Sequence, residues 1–314
     1  MDALAVVMQQ PGDVALDRLP LSPLDENEVV VDVRFSGIST GTERLLWAGE
    51  MPSFPGMGYP LVPGYETVGR ISAVAAGLES RIGEWVFVSG ARCYGEVNGL
   101  FGGAASRMIV PSEKATKIPD GLKADGVLLA LAATALHALN RMPGGHPPEL
   151  IIGHGVLGRL LARLTLACGH AAPMVWETHE IRRGGAQGYQ VIAPTEDRRH
   201  DYQYVCDVSG NIAAIDQAIA RTAKDAAIVL AGFYKDRVSF DFPPAFMREI
   251  TMTIAAEWAP GDLAAVVELT RSGQISLDGL ITHIQKPRDA ATAYETAFND
   301  PACLKMILDW SEAK

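Results

Sequence analysis

The sequence predicts an α/β fold class with an additional β-rich domain, and three observations support this prediction. Short β segments separated by Gly and Pro fill residues 1–118, for example EVVVDVRF at 28–35 and WVFVS at 85–89. From about residue 121 an Ala- and Leu-rich helix leads into alternating strands and helices. The 314 residues, 48% of them hydrophobic, suffice for two domains with a core each. We therefore expect a β-rich domain at 1–118 and 275–314, and an α/β domain at 119–274.

The elements of the α/β domain follow the order that a doubly wound parallel sheet requires. Strands are expected at 149–152, 173–177, 190–193, 202–207, 226–231 and 250–256. Helices are expected at 156–168, 212–222 and 263–272, and a strand at 281–283 precedes a last helix and a strand ending at Trp310. Such alternation predicts a parallel sheet with helices on both faces.

Charge and cysteine content exclude several functions. Thirty-seven acidic against 27 basic residues give a net charge of -10 without a basic run, so no nucleic-acid surface is expected. The four cysteines lie far apart and form no CxxC pair, which argues against a disulfide framework and for a reducing compartment. The longest apolar run, at 127–139, is too short for a membrane span of ~20 residues. A cytosolic protein is expected, and a loose association with a membrane surface stays open.

A glycine motif marks the start of the α/β domain. Gly153, Gly155 and Gly158 fit G-x-G-x-x-G between an apolar strand and a helix. The first glycine permits a tight turn, the second lets amides approach a pyrophosphate, and the third lets the helix pack on the strand. Val156 and Leu157 begin the helix, whose amino-terminal amides hold phosphate charge. The motif therefore predicts a Rossmann domain that binds a dinucleotide.

Glu177 favours NAD as this dinucleotide. It ends the second strand, 19 residues after Gly158, where a carboxylate accepts the ribose hydroxyls of NAD and repels the 2′-phosphate of NADP. Arg182 and Arg183 are the only nearby candidates for a 2′-phosphate, and they are expected to face solvent instead. His154, inside the glycine loop, is expected to pack or to face solvent rather than to act as a base.

This domain order resembles the medium-chain dehydrogenase/reductase superfamily over essentially the whole chain. The resemblance implies a GroES-like catalytic domain and a Rossmann NAD-binding domain. In that superfamily a Cys-His-Thr-Asp loop and a Gly-His-Glu motif bring a catalytic zinc, and the matching stretches here are TGTE at 40–43 and GYE at 64–66. The lobe that holds a structural zinc retains only Cys93. Neutral threonine and phenol are poor zinc ligands, so no metal is expected at either place.

Two further stretches, FPGMGYPLVPGYE at 54–66 and LALAATA at 129–135, resemble a branch of the superfamily that acts in bacteriochlorophyll synthesis. This resemblance implies oxidation by NAD of the 1-hydroxyethyl group of a bacteriochlorophyllide, a tetrapyrrole, to an acetyl group. A zinc-free NADPH quinone or enone reductase and a non-catalytic pigment carrier stay open as alternatives. The superfamily also implies a homodimer along an edge strand near 250–256. Direct hand-over of pigment from a chlorophyllide reductase stays open.

Zinc-free oxidation of a secondary alcohol needs a side chain that takes the hydroxyl proton. Tyr65 and Thr40 stand where the superfamily keeps its metal, so Tyr65 is expected to polarise the alcohol oxygen and Thr40 or Thr42 to pass the proton on. Alternatively, Tyr65 only fills the vacated metal pocket. Glu66 either organises the floor of the cleft or is a buried carboxylate paired with an arginine. Thr134 either holds the nicotinamide ring or bonds back to its own helix.

The loop at 51–64 is the candidate substrate surface. It holds four of the 19 prolines and is expected to form neither a helix nor a central strand. Phe54, Met57 and Tyr59, together with Trp47, form a polarizable, aromatic set that suits a flat macrocycle. The alternative is a loop anchored by its own apolar side chains.

Overall fold

The computed structural model describes residues 1–54 and 56–313, which divide into two compact units. Unit 1 comprises Met1–Ala130 and Leu280–Lys314, and unit 2 comprises Leu131–Gly279. The sequence placed the corresponding boundaries at 118 and 275. The first division between the compact units falls at residue 130, near the start of the helix Leu129–Asn140.

The elements are numbered in chain order. The strands are β1 (Asp2–Gln10), β2 (Asp13–Pro20), β3 (Glu28–Ile38), β4 (Leu61–Val62), β5 (Thr67–Val74), β6 (Trp85–Val88), β7 (Asn98–Gly99), β8 (Arg107–Pro111), β9 (Thr116–Lys117), β10 (Leu150–Ile152), β11 (Met174–Trp176), β12 (Gln190–Ile192), β13 (Tyr202–Asp207), β14 (Thr222–Leu230), β15 (Thr251–Ile254), β16 (His283–Gln285) and β17 (Met306–Asp309). The helices are α1 (Thr42–Ala48), α2 (Leu129–Asn140), α3 (Val156–Ala167), α4 (Ala213–Arg221), α5 (Phe242–Met247), α6 (Asp262–Arg271) and α7 (Ala290–Asn299).

Unit 1 is built on two β-sheets. One has the strand order β2-β1-β4-β7, and the other has the order β16-β17-β3-β5-β6-β9, with β8 also paired to β3. The return segment joins the second sheet through β17, which runs antiparallel to β3 with Met306 opposite Ile38. This pairing brings the residue before β17 next to the end of β3, where the candidate site begins.

The loop at 51–64 contains a strand that the sequence analysis excluded. Leu61 and Val62 form β4, which lies between β1 and β7. Pro60 and Pro63, which have no N–H to donate, flank the strand and limit it to two residues. The expectation that the loop holds no central strand was therefore wrong at these two residues.

Unit 2 carries a six-stranded, all-parallel sheet in the order β12-β11-β10-β13-β14-β15, which confirms the predicted parallel sheet. Strand β10 lies between β11 and β13, so the chain reverses its direction of winding there. Ligands of open α/β sheets bind outside the carboxyl ends of strands at such a reversal. The glycine motif follows β10 directly and therefore lies at this position.

The helical stretch from Asp120 to Asn140 is long and apolar enough for a membrane span by length and composition. However, 61% of its most apolar window is buried within the protein. Burial of this extent is that of a core helix, whose apolar side chains pack against protein rather than lipid.

Candidate active site

The Tyr65 hydroxyl belongs to a cluster of hydroxyl side chains in unit 1. Its Oη lies 2.7 Å from Ser39 Oγ, and the hydroxyl of Thr42 lies close enough to act against the rise in its pKa. The ring packs edge-on against Phe101, with ring centroids 5.6 Å apart. Burial and the charge of Glu66 raise the pKa of Tyr65 above its usual value. The phenol is therefore neutral at physiological pH and serves as a hydrogen-bonding group rather than as a phenolate.

Ser39, not Thr40, is the residue in hydrogen-bond contact with Tyr65. Ser39 follows β3 directly and is 3% exposed, whereas Thr40 lies exposed on the turn before α1. Matching by motif pointed to Thr40 and missed Ser39. The available signal was that Ser39 directly continues an apolar strand, which predicts that its side chain is buried.

Glu43 is a buried carboxylate beside these hydroxyl groups. It is 1% exposed; its Oε1 accepts the Ser39 amide at 3.0 Å and its Oε2 accepts the Tyr294 hydroxyl at 2.7 Å. Burial raises the pKa of Glu43 to about 7, and the charge of Lys305 opposes this only in part. Glu43 is thus a carboxyl group that titrates near physiological pH. No role for Glu43 was expected from the sequence.

Glu66 is held in a buried ion pair with Lys305. The Lys305 ammonium donates to both carboxylate oxygens, at 2.9 and 2.7 Å, and to the Ile38 carbonyl at 3.2 Å. The two side chains are 0% and 1% exposed. A Cβ atom at Gly37 would lie 2.1 Å from Glu66 Oε2, so the carboxylate needs glycine there. The expected arginine partner was wrong, and the lysine that replaces it was not predicted.

The residues proposed to bind substrate differ in exposure. Trp47, Met57 and Tyr59 pack against the core of unit 1; Trp47 lies 5.6 Å from the Phe298 ring, and Tyr59 donates its hydroxyl to a main-chain carbonyl of α1. Phe54 is 38% exposed. The loop is therefore anchored by three of these side chains and presents the fourth to solvent.

The positions that match the superfamily's zinc ligands carry hydroxyl side chains. Among residues 1–54 and 56–313, no three His, Cys, Asp or Glu side chains come together as metal ligands would. The chemistry of the donor set at Tyr65 and Ser39 therefore does not fit a zinc ion.

The glycine loop of unit 2 fits a dinucleotide. Gly153 has φ +104°, and a Cβ atom on Gly158 would lie 1.9 Å from the Gly153 carbonyl oxygen. A Cβ atom on Gly155 would meet nothing within 4 Å. The fold therefore needs Gly158 for its own packing, whereas the space at Gly155 is open to a ligand. Val156 and Leu157, the first residues of α3, direct their amides toward that space.

Glu177 follows β11 and is 7% exposed. Its Oε2 accepts the His154 amide at 3.1 Å and its Oε1 accepts the His179 amide at 2.8 Å. The Arg183 guanidinium donates to the carbonyls of Glu177 and Thr178, at 3.1 and 3.2 Å. Arg183 is half-buried, so its side chain is partly open to solvent as expected, but these two carbonyls also hold it.

Thr134 lies on α2 and is partly exposed. Toward the end of the same helix, His137 and Asn140 each bond Asp262 at 3.1 Å, which ties α2 to the first turn of α6. His137 is therefore a packing residue that holds α2 in place.

Alanine at Gly155 and at Gly158 should have different consequences. We expect Gly155→Ala to leave thermal stability unchanged and to weaken dinucleotide binding, since its methyl group enters only the open space. Gly158→Ala should lower the melting temperature as well, because its methyl group collides with the Gly153 carbonyl. Thermal melts with and without NAD check both expectations. A stable Gly158→Ala variant, or a Gly155→Ala variant with parental NAD affinity, would contradict this account of the loop.

Known proteins match the sequence of this chain in both units. Residues 25–120 match the family model for the alcohol dehydrogenase GroES-like domain. Over its full length the chain is 51% identical to the 2-desacetyl-2-hydroxyethyl bacteriochlorophyllide A dehydrogenase of Rhodobacter capsulatus, and the match covers 100% of each chain.

Solved structures share the fold at low sequence identity. One, described as a short chain alcohol dehydrogenase of Escherichia coli CFT073 in complex with NADH, superposes with a TM-score of 0.83 at 20% identity, covering 98% of this chain and 99% of its own. A Sinorhizobium meliloti dehydrogenase bound to NADP superposes with a TM-score of 0.81 at 18% identity and the same coverage. The fold therefore accommodates either nicotinamide nucleotide.

Proposed function

We infer the reaction from the family to which this chain belongs, the 2-desacetyl-2-hydroxyethyl bacteriochlorophyllide A dehydrogenases. The protein is an oxidoreductase that acts on a CH–OH group. It oxidises the hydroxyethyl group of the bacteriochlorophyllide to an acetyl group in bacteriochlorophyll a synthesis. The observation that carries this conclusion is the 51% sequence identity to a relative named for that activity. The match extends over the full length of both chains and therefore covers both units.

We propose NAD as the nucleotide. Glu177 Oε1 accepts the His179 amide and the Thr178 hydroxyl, whereas Oε2 accepts only the His154 amide and keeps a lone pair for a ribose hydroxyl. A 2′-phosphate at the same place would bring like charges together. Gly153, Gly155 and the α3 amides would hold the pyrophosphate, and Thr134 would contact the nicotinamide. When bound, NAD accepts the hydride that leaves the carbinol carbon.

The hydroxyl cluster of unit 1 is proposed to bind the alcohol and to take part in removing its hydroxyl proton. Tyr65 donates a hydrogen bond that positions the alcohol oxygen, and Ser39 and Thr42 connect it to neighbouring groups. Glu43 is proposed as the final proton acceptor, because its pKa is about 7 and the Ser39 main-chain amide holds its carboxylate beside the cluster; the proton would pass to it from the hydroxyl groups through a water molecule. Thr40, exposed beside Ser39, is the place where the proton reaches water.

Glu66 is proposed to act as a positioning group. Lys305 occupies both of its oxygens, so it has no role as a base. The pair fixes the main chain beside Tyr65 and supplies the positive charge that partly offsets the two buried carboxylates. We propose no zinc ion in this mechanism, because Thr40 and Tyr65, which match the zinc ligands of the superfamily, carry hydroxyl groups.

Substitutions at Phe54 and Tyr65 test whether pigment binding and the oxidation step depend on different residues. Phe54→Ala should weaken pigment binding about tenfold with little change in the single-turnover rate, since an exposed ring offers surface to the macrocycle. Tyr65→Phe keeps its shape and should lower that rate about 10²-fold with pigment binding retained. Trp47, Met57 and Tyr59 support the loop, so Met57→Leu is the matched control. A Tyr65→Phe variant that turns over at the parental rate would show that Tyr65 only fills space.

A homodimer is proposed along β15. This strand is the last of its sheet, and Ile254 on it is 72% exposed. Phe242, Phe246 and Met247 on α5 are 63–71% exposed and add apolar surface to unit 2. Sedimentation of Ile254→Lys should show monomers where the parent sediments as a dimer. A monomeric parent would contradict this part of the proposal.

A further inference from the structure

His154, the second residue of the glycine motif, is fully buried and uses both ring nitrogens. Its Nδ1 lies 2.6 Å from the Arg182 carbonyl oxygen and its Nε2 lies 2.8 Å from the Tyr189 hydroxyl. The Tyr189 ring stands edge-on to the imidazole, with centroids 5.5 Å apart. The glycine loop is thereby joined to both ends of the segment 182–189.

These contacts fix the state of the ring. A carbonyl oxygen only accepts hydrogen bonds, so Nδ1 carries the proton and donates to Arg182. Burial, together with the charge of nearby Arg159, lowers the pKa of His154 to about 4, although the hydrogen bond to the Arg182 carbonyl opposes this shift. The ring is therefore neutral at physiological pH. Its bare Nε2 accepts the Tyr189 O–H, and the pair has one defined hydrogen-bond direction.

The residues around His154 also hold Glu177, the carboxylate proposed to bind the nucleotide ribose, and the side chain of Arg159. His154 and His179 donate their amides to the two oxygens of Glu177. Arg159 donates to the carbonyls of His154 (3.1 Å), Arg182 (2.9 Å) and Gly184 (2.8 Å).

Arg183 is committed in the same way to the carbonyls of Glu177 and Thr178. The guanidinium groups of Arg159 and Arg183 are therefore bound to main-chain oxygens. A bidentate contact with a 2′-phosphate would require either of them to leave those carbonyls.

We propose that His154 and Tyr189 form a positioning clamp that sets the preference for NAD over NADP. The clamp holds Glu177 at the ribose and keeps Arg159 and Arg183 on main-chain carbonyls, so a ribose hydroxyl finds an acceptor, whereas a 2′-phosphate would have to draw these two guanidinium groups away from their carbonyls. This inference rests on the proposed nucleotide and deepens it. The second position of the motif, which the G-x-G-x-x-G pattern leaves unspecified, acquires a role in selectivity.

The test compares affinities for NAD and NADP in binding titrations without pigment. Tyr189→Phe removes one hydroxyl and keeps the ring, and His154→Val removes both hydrogen bonds. We expect Tyr189→Phe to weaken NAD binding about fivefold, the effect of one lost hydrogen bond, and His154→Val, which loses two, to weaken it about 25-fold. Neither should weaken NADP binding, so the NAD:NADP affinity ratio falls. His154→Asn places an amide donor near the Nδ1 position and should recover part of the ratio. Tyr204→Phe, which removes a hydroxyl from β13 of the same sheet, is the matched control.

A second readout is independent of nucleotide. The nitrogen resonances of His154 should show a neutral ring protonated at Nδ1 down to pH 5, and Tyr189→Phe should shift the Nε2 resonance. Parental affinity ratios in both Tyr189→Phe and His154→Val would overturn the clamp while leaving the proposed nucleotide intact. A parent that binds neither nucleotide, or prefers NADP, would overturn both.

Discussion

Replacing Lys305 with methionine is expected to lower the free energy of unfolding by about 3–5 kcal/mol, because it leaves the Glu66 carboxylate buried without a counter-charge. Both side chains are at most 1% exposed, and the ammonium makes three hydrogen bonds that methionine cannot replace. Denaturant unfolding at neutral pH measures the loss. Adding Glu66→Gln to Lys305→Met should restore much of it, since the uncompensated charge is then gone.

Lys286→Met is the matched control for this prediction. Lys286 pairs with Asp309 at 3.0 Å in the same unit, but its side chain is 32% exposed. A pair with that access to water contributes about 0–1 kcal/mol. If Lys305→Met costs no more than Lys286→Met, the pair does not hold Glu66 in the way the structure indicates.

Glu43→Gln is expected to lower the rate of alcohol oxidation about 10²–10⁴-fold, because it removes the group proposed to take the proton. In the parent, oxidation should become faster as the pH rises through about 7, where Glu43 loses its proton. The variant should lack this step. Glu50→Gln, an exposed substitution just beyond α1, should keep it. A pH profile unchanged by Glu43→Gln would exclude Glu43 as the base.

The same carboxyl group should make stability depend on pH. Its pKa is raised from 4.5 to about 7 in the folded protein, so the folded state holds a proton that the unfolded state has already released between these values. Stability is therefore lost as pH rises from 4.5 to 7, by about 3 kcal/mol at most. Glu43→Gln resembles the protonated form and should remove this slope. The difference in the free energy of unfolding between the parent and Glu43→Gln should therefore change between pH 5 and pH 7.5. If this difference is the same at both pH values, the pKa of Glu43 is not raised.

The parts that the sequence predicted are those encoded over short distances. Gly153, Gly155 and Gly158 stand within six residues, and Glu177 follows at the spacing that one helix and one strand require. The parallel sheet follows in the same way from the alternation of elements. For these features, the residues that the local sequence pattern specifies are the same residues that the fold needs at those positions.

The rest depended on contacts between distant positions. Lys305 meets Glu66 across 239 residues, and Tyr294 meets Glu43 across 251 residues. A lysine before a short strand suggests an exposed side chain, and nothing nearby in the sequence indicates that β17 pairs with β3. Ser39 was missed by one position, because the motif match placed the metal-ligand position at the turn rather than at the end of the strand.

The most direct test of the central claim is turnover of hydroxyethyl bacteriochlorophyllide by the protein after treatment with a chelator and confirmation that zinc is absent. With NAD present, we expect the pigment's absorption to change to that of the acetyl product, with one NADH formed per acetyl group. NADP should support this far less well, and adding zinc should change nothing. Pigment that binds without conversion would identify a carrier, and conversion only after zinc is added would contradict the hydroxyl-based site.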